Sequence, residues 1–441
     1  MTRMISEAEY DGRRRTQWLA GEARAAGVAR RDMLRLLAAA GGVSTLAVTA
    51  APRATAATGS PGTTAGTGSP GTTAATGSPN AAPGIVKPLP ADHFTIRGTN
   101  AETRFEALAE TGFRTPASHF FVRNHTATPR LDGPAWKLKV WGDGLRGGAR
   151  EFTLADLKRV PSVSRTAVVE CAGNGRSFFA TQQGGPVSGT SWTLGAIGNA
   201  RWRGARLCDV LRLAGVTRKA VDVMPRGLDG DYITDDGTNL GRVRRPMPLA
   251  KAMDDVILAY EMNGAPLPPD HGYPVRLIAP SWVGIASIKW LGDIEVSTTP
   301  LYSPWNTDFY RLFGAAYPKE GSAPLTRQTI KSAFELPWDA CLPAGRTHHI
   351  TGRSWSASGA IARVDISTDE GATWHPARLK DSPRPATWTR WTTPWHPTTP
   401  GPATLRARAT DTTGRVQPEE TVHNTQGYLF DAVVRHAVRV V

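Results

Sequence analysis

From about residue 90 onwards, apolar residues occur in short runs separated by glycine- and proline-rich turns. Runs dominated by β-branched or aromatic residues predict strands, and the clearest in the first part of the chain are Trp136–Trp141, Thr166–Val169, Pro274–Ile278 and Ile288–Val296. Apolar spacing typical of helices is confined to short segments, which are Leu154–Arg159, Arg206–Leu213 and Leu249–Ala252. The pattern up to residue 318 therefore predicts a domain of mixed α and β structure.

The pattern changes from about residue 320, where alternating apolar and polar positions predict strands only. Ile361–Thr368 and Thr373–Lys380 flank the turn Asp369-Glu370-Gly371 and predict a hairpin, and Ala403–Asp411 predicts a further strand. Four tryptophans lie inside this stretch. The predicted fold class is therefore α+β, with a mixed α/β domain over 89–318 followed by an all-β, immunoglobulin-like sandwich over 319–441.

The N-terminal 56 residues have the layout of a twin-arginine export signal. Arg30-Arg31 precedes an uncharged, alanine- and leucine-rich run from Leu36 to Ala51, and Ala54-Thr55-Ala56 offers small residues for cleavage. This pattern predicts export by the twin-arginine route to a periplasmic, extracellular or cell-wall location. The apolar run is short for a membrane span, so contact with the membrane is expected only at export, although the sequence leaves retention as an anchor open.

Residues 57–88 predict a disordered linker. Thr58–Gly66 and Thr67–Ala75 are near-identical copies rich in glycine, serine, proline and threonine, and such tracts bury too little apolar surface to fold. The segment is a tether or a cell-wall spacer.

Composition limits the possible chemistry. The chain of 441 residues has only three cysteines, Cys171, Cys208 and Cys341, which argues against a disulfide scaffold, a four-cysteine iron–sulfur cluster and c-type haem attachment. We therefore expect no haem and no Fe–S cluster. The formal net charge of +14 fits an acidic redox partner or an anionic substrate, and equally an arginine-rich genome. Basic clusters interleaved with aromatic residues are not evident, so no nucleic-acid partner is expected.

The segment Glu170–Ser177 carries the strongest candidate chemistry. Cys171 follows an apolar strand-like run, two glycines and an asparagine come next, and Arg176 lies five residues beyond the sulfur. A thiolate at the end of a strand, beside a tight loop and a fixed cation, suits a soft metal that binds an oxyanion. For a cysteine taken alone, a buried structural thiol is the commoner interpretation.

Six motifs in a fixed order give this cysteine a context. They are Phe120-Phe121-Val122-Arg123-Asn124-His125, the Cys-Ala-Gly-Asn-Gly-Arg segment, Gly204–Leu211, Ala259–Gly264, Asp270–Arg276 and Ser287–Leu291. In that order and spacing the set resembles the sulfite oxidase family of molybdenum enzymes, from roughly residue 90 to the end of the chain. The resemblance implies a molybdopterin-binding oxidoreductase domain over 89–318 and an immunoglobulin-like dimerisation domain over 319–441.

The resemblance also implies roles for particular residues. Cys171 matches the thiolate that binds molybdenum beside a single molybdopterin. The residues that match the catalytic, substrate-binding pocket are Arg123, Arg176, Tyr310, Trp192 and His125. Those that match the pterin contacts are Thr99, Asn100, Ala101, Glu102, Thr103, Asp229, His271, Arg276, Ser287, Ile288 and Lys289. For Asp229 a turn cap, and for His271 an ordinary loop histidine, are the alternatives.

Two positions depart from the animal and plant enzymes. Gly175 stands where those enzymes have an arginine, and Gln426 stands where a further arginine completes their anion pocket. Both changes make the chain similar to the bacterial sulfite and sulfane dehydrogenase branch.

The resemblance implies an exported, homodimeric enzyme that uses the molybdenum–molybdopterin cofactor to oxidise sulfite, or a related sulfur oxyanion, to sulfate. Electrons would pass to an external acceptor such as a c-type cytochrome. The alternatives are an oxygen-atom reductase that acts on a sulfoxide such as methionine sulfoxide, and a cofactor-free cell-wall binding protein.

Overall fold

The computed structural model describes residues 11–12 and 82–441. Apart from residues 11–12, the predicted export signal over 1–56 lies outside the described residues, as do residues 57–81 of the predicted linker. In the part of the chain that is described, no helix is long and apolar enough to cross a membrane.

The first domain is built on two five-stranded sheets. One has the strand order β10-β9-β6-β5, with β11 paired to β9, and the other has the order β4-β3-β12-β7-β8. A separate hairpin, β1–β2, precedes them. The strands are β1 Phe94–Arg97, β2 Asn100–Thr103, β3 Lys137–Trp141, β4 Arg150–Thr153, β5 Ser162–Glu170, β6 Ile197–Arg206, β7 Asp222–Gly227, β8 Met247–Pro248, β9 Ile257–Met262, β10 Ala265–Pro266, β11 Arg276–Ile278 and β12 Leu291–Ser297.

Short helices connect these strands; the first, third and fourth of them lie where the apolar spacing predicts helices, and the other two were not predicted. The helices are α1 Leu154–Arg159, α2 Ser177–Gln183, α3 Leu207–Ala214, α4 Leu249–Asp254 and α5 Pro304–Thr307. Helix α1 is capped by Thr153, whose hydroxyl accepts from the N–H of Asp156 while the Asp156 carboxylate accepts from the N–H of Thr153. This reciprocal cap satisfies two otherwise unpaired amides, so the local sequence fixes where the helix starts.

The second domain is a sandwich of two sheets, as the alternating pattern predicts. The strand orders are β13-β15-β19-β18 and β14-β21-β20-β16-β17. The strands are β13 Lys331–Phe334, β14 Ala340–Leu342, β15 His348–Trp355, β16 Ile361–Ser367, β17 His375–Pro376, β18 Arg378–Leu379, β19 Trp388–Trp395, β20 Gly401–Asp411 and β21 His436–Val440.

The predicted hairpin is only partly correct. Strand β17 pairs with β16, as expected, but β18 pairs with β19 of the opposite sheet. The run Thr373–Lys380 therefore crosses from one sheet to the other. The alternation of apolar and polar residues predicts which face of a sheet each side chain lies on, but it does not predict which strand is the hydrogen-bonded partner. The sequence therefore could not show that this run passes from one sheet to the other.

The last residues of the predicted linker also differ from expectation, because residues 82–88 are packed on the first domain. Ala82 and Leu89 are buried in an apolar cluster with Phe94 and Val122. The backbone N–H groups of Val86 and Lys87 donate to the carboxylate of Asp270, at 3.0 and 2.7 Å. This partner lies more than 180 residues away, which is why local composition does not reveal the ordered start.

Candidate active site

Strand β5 delivers Cys171 to the interior. The last four residues of the strand are buried, and the N–H of Cys171 donates to the carbonyl of Ala196 at 2.9 Å. Asn174 secures the following loop, because its side chain donates to Glu170 Oε1 at 3.0 Å and accepts from the N–H of Ala196 at 2.9 Å. The sulfur is therefore held on a turn with little freedom.

The departure at Gly175 has a structural reason. Its φ of +92° lies in the left-handed region, and an added Cβ would come within 3.1 Å of the Phe430 side chain. A glycine avoids both the backbone strain and the contact.

A cavity opens next to Cys171. It gathers segments far apart in the chain, and the predicted site residues among its lining are Arg123, His125, Cys171, Asp229, His271, Arg276, Ser287, Ile288, Lys289 and Tyr310. The cavity therefore brings predicted pterin contacts together with predicted pocket residues, and the part that the pterin contacts line is called the pterin side.

The pterin side fits a polar ligand with hydrogen-bond donors and acceptors. Asp229 Oδ1, His271 Nε2 and Arg276 Nε are buried and have no hydrogen-bond partner among the described residues. Buried polar atoms are rarely left unpaired without a ligand or water. Two glycines allow the backbone to lie close to these side chains. A Cβ on Gly227 would lie 2.3 Å from Asp229 Oδ1, and one on Gly272 would lie 2.8 Å from Arg276 Cβ.

The electrostatics of this side favour an anion. Burial lowers the pKa of Lys289 well below its usual value, with the charge of Arg276 adding to the effect. Burial also lowers the pKa of Arg276 to about 9 and that of Lys87 to about 7. Two desolvated basic groups, Arg276 and Lys289, thus line the cavity, and a bound phosphate would favour their charged forms.

Burial shifts the pKa of two further groups on this side. Burial raises the pKa of Asp229 to about 6. Burial and the charges of Lys87 and Lys289 lower the pKa of His271 well below its ordinary value. A neutral imidazole and a poised carboxyl can each donate or accept, as the ring nitrogens of a pterin require.

A second cavity adjoins the first at Cys171. It shares Arg123, His125, Cys171 and Tyr310 with the first and adds Arg176, Trp192, Tyr232, Gln426 and Tyr428, among others. Each predicted catalytic residue therefore lines one or both cavities.

Arg176 is a fixed cation in this second cavity. Its Nε donates to the carbonyl of Gln426 and its Nη1 to the carbonyl of Thr190, both at 2.9 Å. Glycines surround the side chain closely: a Cβ on Gly173 would lie 2.6 Å from the guanidinium, and one on Gly427 would lie 2.6 Å from Arg176 Cγ. Only Nη2 has no protein partner within the described part of the chain, so this nitrogen is available to a ligand.

Arg123 lies between the two cavities. Burial disfavours its charge, but the neighbouring Tyr310 and Cys171 groups outweigh this effect, and the pKa of the guanidinium is raised. The side chain is therefore a permanent cation beside the cysteine.

Tyr310 is held in an unusual backbone conformation. Its φ is +57°, which costs free energy for a residue with a side chain. Its ring stacks on that of Tyr428 with centroids 5.1 Å apart and an interplanar angle of 12°. Burial raises the pKa of both hydroxyls, so both keep their protons and can donate.

His125 has a defined tautomer. Its Nε2 accepts from Trp305 Nε1 at 3.1 Å. Burial and the charge of Arg123 lower the pKa of the imidazole well below its usual value. The ring is therefore neutral and carries its proton on Nδ1. Trp192 is buried, and its carbonyl accepts from the N–H of Ser177, which ties it to the start of α2.

The segment Thr99–Thr103 lines neither cavity. Asn100 Oδ1 accepts from the N–H of Asn124 at 2.9 Å, and Glu102 Oε1 accepts from the Thr193 hydroxyl at 2.6 Å. Thr103 donates its hydroxyl to the carbonyl of His119, and Ala101 exchanges backbone hydrogen bonds with Val122. The segment thus reaches the first cavity through its contact with Asn124, and its role in pterin binding stays a prediction.

Several site residues were missed from the sequence. Asn124 and Asp270 lie inside two of the six motifs, directly beside Arg123 and His271. Their position next to these predicted site residues could have identified them. Lys289 donates to Asn124 Oδ1 and to the carbonyl of Asp270. Tyr428 and Lys87 carry no local signal, because only the folded chain brings them to the site.

Comparisons with known proteins match this geometry. Residues 125–305 match the family model described as the oxidoreductase molybdopterin binding domain, and residues 329–441 match the Mo-co oxidoreductase dimerisation domain. Fold and site together define a molybdopterin-dependent oxidoreductase.

Sequence relatives and one solved structure narrow this class. Mouse mitochondrial sulfite oxidase is 38% identical over 363 residues, which cover 78% of this chain and 65% of the mouse protein. Chicken sulfite oxidase is 36% identical over 354 residues, 76% of this chain and 74% of that protein. The sulfane dehydrogenase SoxCD structure from Paracoccus pantotrophus aligns with a TM-score of 0.66 at 28% identity, covering 78% of this chain and 86% of its own.

The chain belongs to the sulfite oxidase family. It spans less than two thirds of the length of the mouse relative.

Proposed function

We propose that this protein oxidises sulfite, or a related sulfur oxyanion, to sulfate with a molybdenum–molybdopterin cofactor. The observation that carries the proposal is the pair of fixed cations, Arg123 and Arg176, that face a cavity containing Cys171. A pocket with two guanidinium groups is suited to an anion with several oxygen atoms, since both groups stay charged and can donate charge-assisted hydrogen bonds.

The residues present fit the cofactor. When bound, the cofactor supplies a molybdenum centre for two-electron oxygen-atom chemistry. Cys171 would hold the metal through its thiolate. Asp229, His271 and Arg276 would pair with the pterin through atoms that have no protein partner in the described chain. Lys289 and Ser287 line the same wall.

The substrate side is preorganised by the protein. Arg123 and Arg176 would bind the oxyanion and neutralise its charge next to Cys171. Tyr310 would donate a hydrogen bond from a hydroxyl that stays protonated because its pKa is raised. Because Arg176 is anchored to two carbonyls, little reorganisation is needed when the anion enters.

The remaining features of the proposal rest on sequence pattern and family membership. The twin-arginine pattern supports export, and the Mo-co oxidoreductase dimerisation domain match supports a homodimer. A division near residue 318 falls between the two family matches, which end and begin at 305 and 329. As electron acceptor we propose an external redox protein of the c-type cytochrome class.

Metal analysis and steady-state kinetics test the proposal together. We expect one molybdenum per chain, and sulfite-dependent reduction of ferricyanide or cytochrome c. A protein without molybdenum would favour the cofactor-free binding role. A molybdenum protein that reduces methionine sulfoxide with a reduced dye, and does not oxidise sulfite, would favour the oxygen-atom reductase.

A further inference from the structure

One aromatic residue outside every motif contacts both groups that would bind the oxyanion. The ring of Tyr428 stacks on Tyr310 at 5.1 Å, and the guanidinium carbon of Arg176 lies 5.2 Å from the centre of the same ring. Tyr428 is buried and lies in the segment that matches the dimerisation domain. It thus joins a second-domain loop to two first-domain groups.

The loop that carries Tyr428 is shaped for this contact. The carbonyl of Gln426 accepts from Arg176 Nε. Gly427 has a φ of +59°, and a Cβ there would collide with Arg176 Cγ. Asn424 closes the loop, since its side-chain oxygen accepts from the N–H of Tyr428 at 2.9 Å and its amide donates to the Tyr428 carbonyl at 2.8 Å.

The position of the ring determines which part of Arg176 remains available. Nε and Nη1 are bound to carbonyls, and the aromatic ring lies against the guanidinium. A cation over an aromatic ring is stabilised most when water is excluded, as it is here. The guanidinium is thereby held with Nη2 as the nitrogen left for a ligand.

The same ring supports Tyr310. A tyrosine with a φ of +57° persists only if its surroundings hold it there, and the stacked face of Tyr428 is part of those surroundings. Without the ring, both the Tyr310 backbone and the Arg176 side chain gain freedom.

We propose that Tyr428 is a positioning residue, whose ring fixes Arg176 and Tyr310 for binding of the oxyanion. This inference rests on the proposed function and extends it, because it assigns the alignment of the anion pocket to a residue of the second domain. The two ring contacts carry this role, and the hydroxyl adds a contact with the backbone N–H of Tyr310.

The test compares Tyr428→Leu with Tyr428→Phe in the holoenzyme. Leucine removes the ring, and we expect KM for sulfite to rise about tenfold, with a smaller change in kcat, since a cation–aromatic contact in a desolvated site is worth about one decade of affinity. Phenylalanine keeps the ring and should recover most of this loss. Sulfate binding, measured by calorimetry without turnover, should weaken in parallel with KM.

A matched control separates positioning from stability. Phe334 packs edge-on against Trp391 inside the second domain, with centroids 5.3 Å apart. Phe334→Leu should lower the unfolding temperature and leave KM and sulfate affinity as they are. In an Arg176→Gln background, Tyr428→Leu should add less than its full effect on KM, because residues that act as a unit are not additive.

Three results would overturn the proposal: wild-type KM and sulfate affinity in Tyr428→Leu, a loss in Tyr428→Phe as large as that in Tyr428→Leu, or full additivity with Arg176→Gln. If the wild type does not oxidise sulfite at all, the proposed function fails. The effect of Tyr428 on sulfate affinity can still be measured in that case, so the two failures are distinguishable.

Discussion

Lys331, on the first strand of the second domain, donates a hydrogen bond of 2.6 Å to Oε1 of Glu170, the residue that precedes Cys171. Both side chains are only 2% exposed. The same carboxylate oxygen accepts from Asn174, which holds the cysteine loop. A buried ion pair thus fastens the second domain to the strand that presents the sulfur.

Removing one partner of this pair should be costly. Lys331→Met leaves a buried carboxylate without its cation, and such changes cost about 3–5 kcal/mol. We expect the free energy of unfolding in urea to fall by about that amount, and molybdenum content to fall with it. Adding Glu170→Gln should recover part of the loss, because the uncompensated charge is gone.

The control for this prediction is the exposed pair Lys137–Glu151, whose side chains are 59% and 56% exposed. Lys137→Met should change stability by no more than about 0.5 kcal/mol. Equal effects of the two substitutions would show that the buried pair has no special role.

Cys171→Ser should abolish activity. The substitution replaces a soft thiolate with a hard, mostly protonated hydroxyl of similar size, so folding is expected to survive while metal ligation fails. Molybdenum per chain and sulfite turnover report the result. Cys208→Ser and Cys341→Ser are matched controls outside both cavities, and both should keep their metal. Wild-type turnover in Cys171→Ser would remove this residue from the metal site.

Arg123→Gln should weaken binding of sulfite. The change removes a charge-assisted contact worth about 1.5–3 kcal/mol, so kcat/KM should fall about ten- to a hundredfold, mainly through KM. Molybdenum content should stay the same, because Arg123 is not proposed as a metal or pterin ligand. A neutral sulfoxide would be much less sensitive, and unchanged sulfite kinetics would favour the oxygen-atom reductase.

The buried carboxyl of Asp229 makes stability depend on pH. Its folded-state pKa of about 6 lies above the ordinary 3.8, so folding takes up a proton between these values. The free-energy cost of burying the ionised carboxylate is absent below pH 3.8, increases as the pH rises and is complete above pH 6. Asp229→Asn should therefore stabilise the cofactor-free protein by about 2–3 kcal/mol at neutral pH and have no effect below pH 3.8.

Urea unfolding across this pH range measures the effect. A pH-independent difference between the two proteins would mean that burial does not raise the pKa of Asp229. In the cofactor-loaded protein we expect the same substitution to lower molybdenum content, because the asparagine amide cannot serve as the carboxyl does toward the pterin.

The dimerisation-domain match predicts a homodimer with a two-fold interface. Light scattering at micromolar concentration should give twice the mass of one chain. A monomer mass would overturn the assembly and leave the proposed catalytic role intact.

Local sequence was sufficient where the cause is local. Helix α1 was predicted at its observed bounds, Leu154–Arg159, because apolar spacing and the Thr153 cap act within one turn. The strand predicted over Ile288–Val296 instead begins at Leu291. Trp290, with a φ of +50°, breaks the extended run, and an apolar pattern contains no sign of that break.

The residues of the candidate site also divide into those that the sequence predicted and those that only distant contacts bring together. The motifs around Arg123, Cys171 and His271 were visible in the sequence, because their residue types are constrained by chemistry. The sequence could not show that Lys87 and Tyr428 approach them, since these contacts depend on how distant segments pack. It also predicted that Thr99–Thr103 contact the pterin, which stays a prediction; in the structure this segment lines neither cavity beside Cys171.

The sequence by itself determined the two-domain pattern of mixed α/β and all-β structure, the family, and the cysteine and arginines that would carry the chemistry. Only the tertiary structure decided which atoms of those residues face a ligand. Orientation, desolvation and pKa depend on the residues that surround a side chain, and here those residues come from segments 250 or more positions apart, as the contact between Arg176 and Gln426 shows.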